Sequence, residues 1–179
     1  MGDPKRQRKK YVTPSHPWQK DRLYEELMLV GKYGLRNKRE LWRLKTMLSE
    51  IRARARKLLA IPPSEREKDE KALIHRLYVL GILDKNAILD DVLNLTVEDL
   101  LKRRLQTVVY EMGLAKTVHQ ARQMIVHRHI MVNGRIVTAP GYLVKRDDVV
   151  EMHPRSPYLK IQKTVEEALK PSETSQEVA

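Results

Sequence analysis

Apolar residues in the first two-thirds of the chain recur at helical spacing. Leu23, Leu27 and Val30 lie four and three apart, predicting a short helix over 18–30. Leu41, Leu44, Leu48, Ile51, Ala55 and Leu58 extend the same rule over about 37–60, with Asn37 as N-cap and Glu40 three residues on. Pro62-Pro63 stop that helix. Ser64 with Glu67 reads as a capping box for a helix of about 65–80, with Leu73, Leu77 and Leu80 on its buried face and Gly81 ending it. A short helix follows near 86–93. Thr96, with Asp99 in the acid position, starts a helix of about 97–112 carrying Leu101, Leu105, Val108, Val109 and Met112 on one face. Thr117 with Gln120 opens another, about 118–127, whose stripe is Val118, Ala121 and Ile125. A small residue at position 121 implies close approach of the preceding helix.

The period then changes from three-to-four to two. "HIMVNGRIV" alternates, and Asn133-Gly134 is the strongest two-residue hairpin signal, since both central positions need positive φ. Ile130 and Val132 share a strand face and are predicted to point inward. Two further short strands are predicted, 142–144 and 149–152, with Asp147-Asp148 turning between them. The predicted fold class is α+β, mostly helical: an N-terminal helical domain and a small module of two helices packed on a short twisted sheet. The divisions are a basic arm over 1–17, the helical domain over 18–100, the module over 101–155, an extension over 156–170 and a disordered tail over 171–179.

Charge adds a function class to this architecture. The 179 residues carry a net charge of +12, and such self-repulsion costs stability unless a polyanion supplies countercharge. Residues 1–61 hold 17 Lys and Arg against 6 Asp and Glu, and residues 101–160 hold 11 against 4; residues 62–100 are acidic, 5 against 9. Two basic segments flanking an acidic connector fit two contact surfaces for one polyanion. Nucleic acid is the first reading and an anionic membrane surface the second. There is no Cys, which excludes disulfides and thiolate metal sites, and no Phe, so aliphatic residues must build the core. No apolar run reaches the ~18 residues of a membrane span. The N-terminus is basic without an apolar stretch behind it, so no secretory signal is expected.

The candidate contacts follow the cations. Lys5, Arg6, Arg8, Lys9 and Lys10 make a dense arm expected to order on phosphate. Gly31-Lys32-Tyr33-Gly34 either wraps a phosphate with backbone N–H groups or is a helix end and a turn. Lys32, Tyr33, Arg36, Lys38, Arg39 and Arg43 surround the start of the second helix. Arg52, Arg54, Arg56 and Lys57 lie in its last turns, where a step of two rotates the helix by about 200° and spreads charge over several directions. Lys102, Arg103 and Arg104 are consecutive and predicted to fan across the solvated side of their helix. The capped start at Thr117, with Lys116 beside it, offers N–H groups and partial positive charge to phosphate. His119, Gln120, Arg122, Gln123, His127, Arg128, Asn133, Gly134 and Arg135 continue that surface through the helix end and hairpin, and Tyr142 is a candidate for stacking on a base. His119, His127 and His129 lack carboxylate or thiolate company, and an extended 127–129 would point two of them oppositely, so no metal is expected. No catalytic constellation and no cofactor site stands out.

The stretch "RRLQTVVYEMGLAKTVHQARQMIVHRHIMVNGRIVTAPGYLVKRDDVVE" resembles the S-four RNA-binding module, through V-V-Y-x-M-G, T-x-x-x-A-R-Q, V-N-G and P-x-Y at fixed spacings. Upstream, "KYGLRNKRELWR" and the basic arm are similar to the small-subunit ribosomal protein S-four family, in its archaeal and eukaryotic form. Its implied partners are small-subunit rRNA, neighbouring small-subunit proteins and mRNA where it enters the subunit, with no membrane. The resemblance implies binding where several rRNA helices meet, early in assembly, and a part in translational accuracy, in the cytoplasm. Some bacterial members hold zinc with N-terminal cysteines, absent here. The module often has a basic residue just after the capping Thr; here Val118 stands there, with Lys116 or His119 as substitutes. Rival classes fit less well. An RNA-modifying synthase would need a further catalytic domain, and a free-standing RNA chaperone would not need the helical domain.

Overall fold

The leucine stripe of the second predicted helix organises the N-terminal half. A computed structural model describes residues 9–159. In it α2 (Lys38–Leu59) buries Leu41, Leu44, Leu48, Ala55 and Leu58. Asn37 caps it as predicted, its Oδ1 accepting the Glu40 N–H at 3.2 Å. Onto α2 pack α1 (Lys20–Lys32), α3 (Pro63–Val79), α4 (Leu89–Asn94) and α5 (Val97–Lys102). Tyr33, Leu35, Leu73, Leu77, Leu89, Val92, Leu95, Leu100 and Leu101 complete this first core.

A second core begins at Leu105. It lies between α6 (Leu105–Glu111), α7 (Val118–Val126) and a three-stranded antiparallel sheet of β1 (Ile130–Val132), β2 (Arg135–Ile136) and β3 (Val150–Met152), ordered β2-β1-β3. Ile130 faces Met152 and Val132 faces Val150 across the central pair, and all four are buried. Asn133 and Gly134 take φ of +51° and +73°, as a tight hairpin requires. Ala121 is fully buried, and α6 packs on α7 as its size predicts. The architecture is α+β and mostly helical.

Several predicted details change. The helix predicted over 97–112 is two. Arg104 adopts extended backbone, with φ −70° and ψ 140°. There the chain exchanges helical hydrogen bonds for a short pairing with the segment predicted as a strand at 142–144: Leu105 N–H donates to the Tyr142 carbonyl at 2.8 Å, and Val144 N–H to that of Arg103 at 2.9 Å. Tyr142–Val144 therefore clamps this break rather than joining the sheet, making one bridge, Arg104 to Leu143. The third helix starts at Pro63, with Pro62 as its N-cap, so Ser64 and Glu67 lie inside it and form no capping box. Proline tolerates the first helical position because its missing N–H would be unpaired there anyway.

The first helix is rotated from its predicted setting. Leu23 and Val30 are half-buried, but Leu27 is exposed and Glu26 is buried in the face toward α2. Part of the basic arm is also tied down. Val12 N–H donates to Thr46 Oγ1 at 3.0 Å, and the Tyr11 ring lies 6.0 Å from that of Trp42, so this stretch runs along α2 rather than free. Lys5, Arg6 and Arg8, and everything expected of residues 160–179, lie outside the described residues.

Candidate nucleic-acid interface

The capped start of α7 is built as its sequence implies, with one shift. Thr117 Oγ1 accepts the Gln120 N–H at 3.1 Å. The Gln120 side-chain amide oxygen, Oε1, reaches past Thr117 and accepts the Lys116 N–H at 2.9 Å. Lys116, Thr117, His119 and Gln123 are exposed around this turn, and Gln120 is half-buried beneath it. At the other end the chain leaves α7 through Arg128, at φ +66°. His129 N–H donates to the Met124 carbonyl and Arg128 N–H to that of Ile125, a closure of the kind usually made with glycine. This bend brings the His127 and His129 rings parallel, 6.4 Å apart and within 11°. The expectation that they point oppositely fails because the link is left-handed, not extended. Tyr158 meets His129 edge-on at 5.2 Å.

The hairpin tip is braced from behind. Asn133 donates through Nδ2 to Asp148 Oδ1 at 2.8 Å and accepts the Val149 N–H at 2.8 Å. Asp148 Oδ2 accepts the Tyr142 hydroxyl at 3.0 Å and the Lys145 N–H at 2.9 Å. Burial pushes the Asp148 carboxyl up, but these donors outweigh it and hold it below its ordinary value. Burial, reinforced by Asp148, raises the Tyr142 hydroxyl. Asn133 and Tyr142, expected to face RNA, hold the turn at 145–149 against the hairpin; Asn133 is exposed while doing so and Tyr142 is half-buried. Gly134 and Arg135 remain exposed at the tip.

The largest correction concerns Arg103, Arg104 and Arg122. Arg104 is only 3% exposed and places Nη2 2.8 Å from Glu40 Oε2. Arg122 is half-buried and clasps the same carboxylate, 2.7 Å to Oε1 and 3.2 Å to Oε2. Its Nη1 also donates to Gln106 Oε1 at 3.2 Å, and Gln106 Nε2 donates to the Gly34 and Val118 carbonyls at 2.9 and 3.1 Å. Burial works to raise the Glu40 carboxyl, but the two guanidiniums hold it below its ordinary value. Burial likewise lowers Arg104, opposed by Glu40. Arg103 donates to the Leu80 and Val144 carbonyls at 3.0 and 2.9 Å. These arginines join the two cores. Consecutive residues on one helix would have fanned outward; the break at Arg104 turns them in.

The remaining candidates divide in the same way. Tyr33 is buried and its hydroxyl donates to Glu98 at 3.0 Å, which removes it from any RNA surface. Lys32 pairs with Glu98 at 2.7 Å and Lys38 with Glu26 at 3.4 Å. The glycine pair at 31–34 is a helix end: Leu35 N–H donates to the Val30 carbonyl, and Gly34, at φ +57°, abuts Val118. Arg52 donates to the Leu95 carbonyl. Lys9, Lys10, Arg36, Arg39, Arg43, Arg54, Arg56, Lys57 and Lys102 are exposed. Sequence reasoning treated Glu40 as a cap and Asp148 as a turn and assigned Gln106 nothing. The available signal for Glu40 was its isolation, one of 6 acids in a segment with 17 cations. Among the described residues there is no group of three or more His, Asp or Glu fit to hold a metal, and no helix long and apolar enough to cross a membrane.

Residues 103–150 match the family model of the S4 domain, and residues 4–102 match that of the ribosomal protein S4/S9 N-terminal domain. The chain is 62% identical over 162 residues to the small ribosomal subunit protein uS4 of Hyperthermus butylicus, covering 89% of this chain and 92% of that one. The chain belongs to the uS4 family. The uS4 protein of Ignicoccus hospitalis is 60% identical over 162 residues, 89% of this chain and 98% of that one. That of Sulfolobus acidocaldarius is 55% identical over 161 residues, 88% and 92%. The two uS4-family matches meet between residues 102 and 103, beside the backbone break at Arg104 where one core gives way to the other.

Proposed function

We propose that this chain binds small-subunit rRNA through the exposed start of α7, the bend at Arg128 and the hairpin tip, together with the exposed cations of α2 and of the segment before it. Membership of the uS4 family makes it a structural constituent of the small ribosomal subunit, acting in the cytoplasm and assembling with rRNA and other ribosomal proteins. The observation that carries the RNA surface is a contrast in charge. Lys116, Arg128 and Arg135 are exposed with no acidic partner among the described residues, whereas Arg104 and Arg122 turn inward and share the Glu40 carboxylate. Exposed, unpaired cations around a capped helix start suit phosphates. Side chains cannot read the deep, narrow major groove of A-form RNA, so recognition is by the shape of folded RNA, through phosphates and 2′-hydroxyls.

The finer reading is a primary binder of a multi-helix rRNA junction that nucleates assembly, lies near the path by which mRNA enters and contributes to accuracy. Family membership supports it, as does the presence of two basic regions in one joined body able to span more than one RNA helix. Replacing Arg128 and Arg135 by Ala tests the surface. The slope of log affinity against log salt should fall by roughly one unit per lost phosphate contact. An unchanged slope would show that these two side chains do not meet phosphate. A backbone footprint on small-subunit rRNA tests the junction, which requires protection in strands from several helices meeting at one place.

A further inference from the structure

The bend that leaves α7 is aromatic as well as basic. Arg128 takes φ +66°, a backbone conformation that glycine adopts without strain and arginine does not. Backbone bonds pin the residue after it on both sides. His129 N–H donates to the Met124 carbonyl at 2.9 Å, and the His129 carbonyl accepts the His153 N–H at 2.8 Å. The second bond extends the pairing of β1 with β3 one step beyond Ile130 and Met152. Tyr158, packed against the second core, meets the half-buried His129 ring edge-on at 5.2 Å. The exposed His127 ring lies 6.4 Å from that of His129 and within 11° of parallel. A flat group that stacks on either imidazole is therefore nearly parallel to both. Strained backbone of this kind clusters where a ligand is held, and here it aligns two π faces.

We infer that one unpaired base of the bound RNA stacks on the parallel His127 and His129 rings, with its own phosphate on Arg128. Charge and ring chemistry select this ligand together. From residue 112 to residue 146 the chain has six Lys and Arg and no Asp or Glu. Arg122 is held by Glu40, and Lys145 and Arg146 lie beside Asp148 and Asp84. Lys116, Arg128 and Arg135 remain, exposed and without an acidic partner among the described residues. The one acid of the sheet, Glu151, stands opposite Met131. Arg128 sits between the two histidines, so the fitting ligand has a flat face with an anion beside it. An unpaired nucleotide has both. An aromatic side chain of a protein brings no anion, and a base inside a helix has its faces covered by its neighbours, whereas splayed-out bases stack readily on rings such as His. The inference rests on the RNA reading of this surface. It adds a ligand that phosphate and 2′-hydroxyl contacts do not include: a single base out of its helix.

The affinity of the full chain for small-subunit rRNA, measured over a series of salt concentrations, tests this. His127→Ala with His129→Ala should weaken binding about tenfold, the scale of one lost base–aromatic stack. The slope of log affinity against log salt should stay at its wild-type value, because no phosphate contact is lost. His127→Phe with His129→Phe should recover most of the affinity, since a phenyl ring keeps the π face and drops the ring nitrogens. His127→Ala alone, at an exposed ring, should lose part of the affinity with melting unchanged, which separates binding from folding. Ultraviolet cross-linking of the wild-type complex should join residues 127–129 to a nucleotide that is unpaired in the rRNA. Alanine variants with unchanged affinity, a slope that falls by about one unit without recovery by Phe, or a cross-link to a base within a continuous helix would each overturn the proposal. The RNA reading survives any of these if Arg128→Ala with Arg135→Ala still lowers the slope. A wild-type chain with no affinity for small-subunit rRNA would instead sink that reading, and this one with it.

Discussion

The N-terminal helical region and the C-terminal module are both rich in cations, and they use them differently. On α2, Arg43, Arg54, Arg56 and Lys57 project into solvent from a helix whose other face is a plain leucine stripe. In the module, Arg103, Arg104 and Arg122 turn inward and bind carbonyls and Glu40 at the joint between the two cores. Residue type alone therefore says little about which arginine is free to meet phosphate. A cation on the outward face of a continuous helix, such as Arg43 or Arg54, is free; one facing a neighbouring element, such as Arg52 or Arg122, is not. At the break, Arg103 donates to backbone carbonyls and Arg104 to Glu40, and Arg122 reaches the same carboxylate from within α7.

The sharpest way to break the comparison is Glu40→Leu. It leaves two guanidiniums facing each other at a buried joint, and removing one partner of a buried pair costs about 3 kcal/mol or more. Thermal melting of the isolated chain should show a fall of several degrees, at about 2–4 °C per kcal/mol for a protein of this size. The same group gives the joint an acid sensitivity. The folded-state pKa of Glu40 is lowered, so its contribution is complete above the ordinary carboxylate range and is lost as pH falls through the lowered value. Glu40→Gln should flatten that acid-side loss. A Gln variant with the wild-type pH profile would place the sensitivity elsewhere.

Two glycines offer a smaller contrast across the joint. Gly34→Ala meets both a positive φ and Val118 Cγ1 at 2.9 Å, whereas Gly134→Ala at the hairpin tip meets a positive φ and open space. The tip variant should lose about 1 kcal/mol from backbone strain alone, and the joint variant clearly more. Equal losses in urea titrations would mean that the contact at Gly34 relaxes freely.

Arg128→Gly sharpens the division between fold and function. The bend at φ +66° favours glycine, so stability should rise by up to about 1 kcal/mol. RNA affinity should fall, because an exposed cation is lost. Opposite signs in melting and in filter binding are the expected signature, and a parallel change in both would show that Arg128 acts only through the fold. The smallest effect belongs to the exposed pair Lys71–Glu67 on α3. Lys71→Ala should leave melting within error, since such surface pairs are screened by solvent.

Much of this was readable in advance, for specific reasons. The stripe from Leu41 to Leu58, the Thr117 cap and the Asn133-Gly134 turn each depend on residues close in sequence, and each is present in the fold. The helix predicted over 97–112 was misread because its apolar spacing continues straight through Arg103-Arg104. Only the distant segment 142–144, supplying carbonyl and N–H partners, makes a break there favourable. Leu27 was misread for the same kind of reason. Its spacing is helical, but the rotation of α1 is set by what Glu26 meets on α2.

The sequence by itself determined where helices start and stop, where the hairpin turns, and that the chain carries a large excess of positive charge. Those properties follow from backbone preferences and from composition, which act over a few residues or over the chain as a sum. Only the tertiary structure decided which cations remain free, which face of α1 looks outward, and that Glu40 joins the two cores. The reason is that a charged side chain takes its role from the partners that folding brings to it, and those partners lie tens of residues away: 64 for Arg104 and 82 for Arg122.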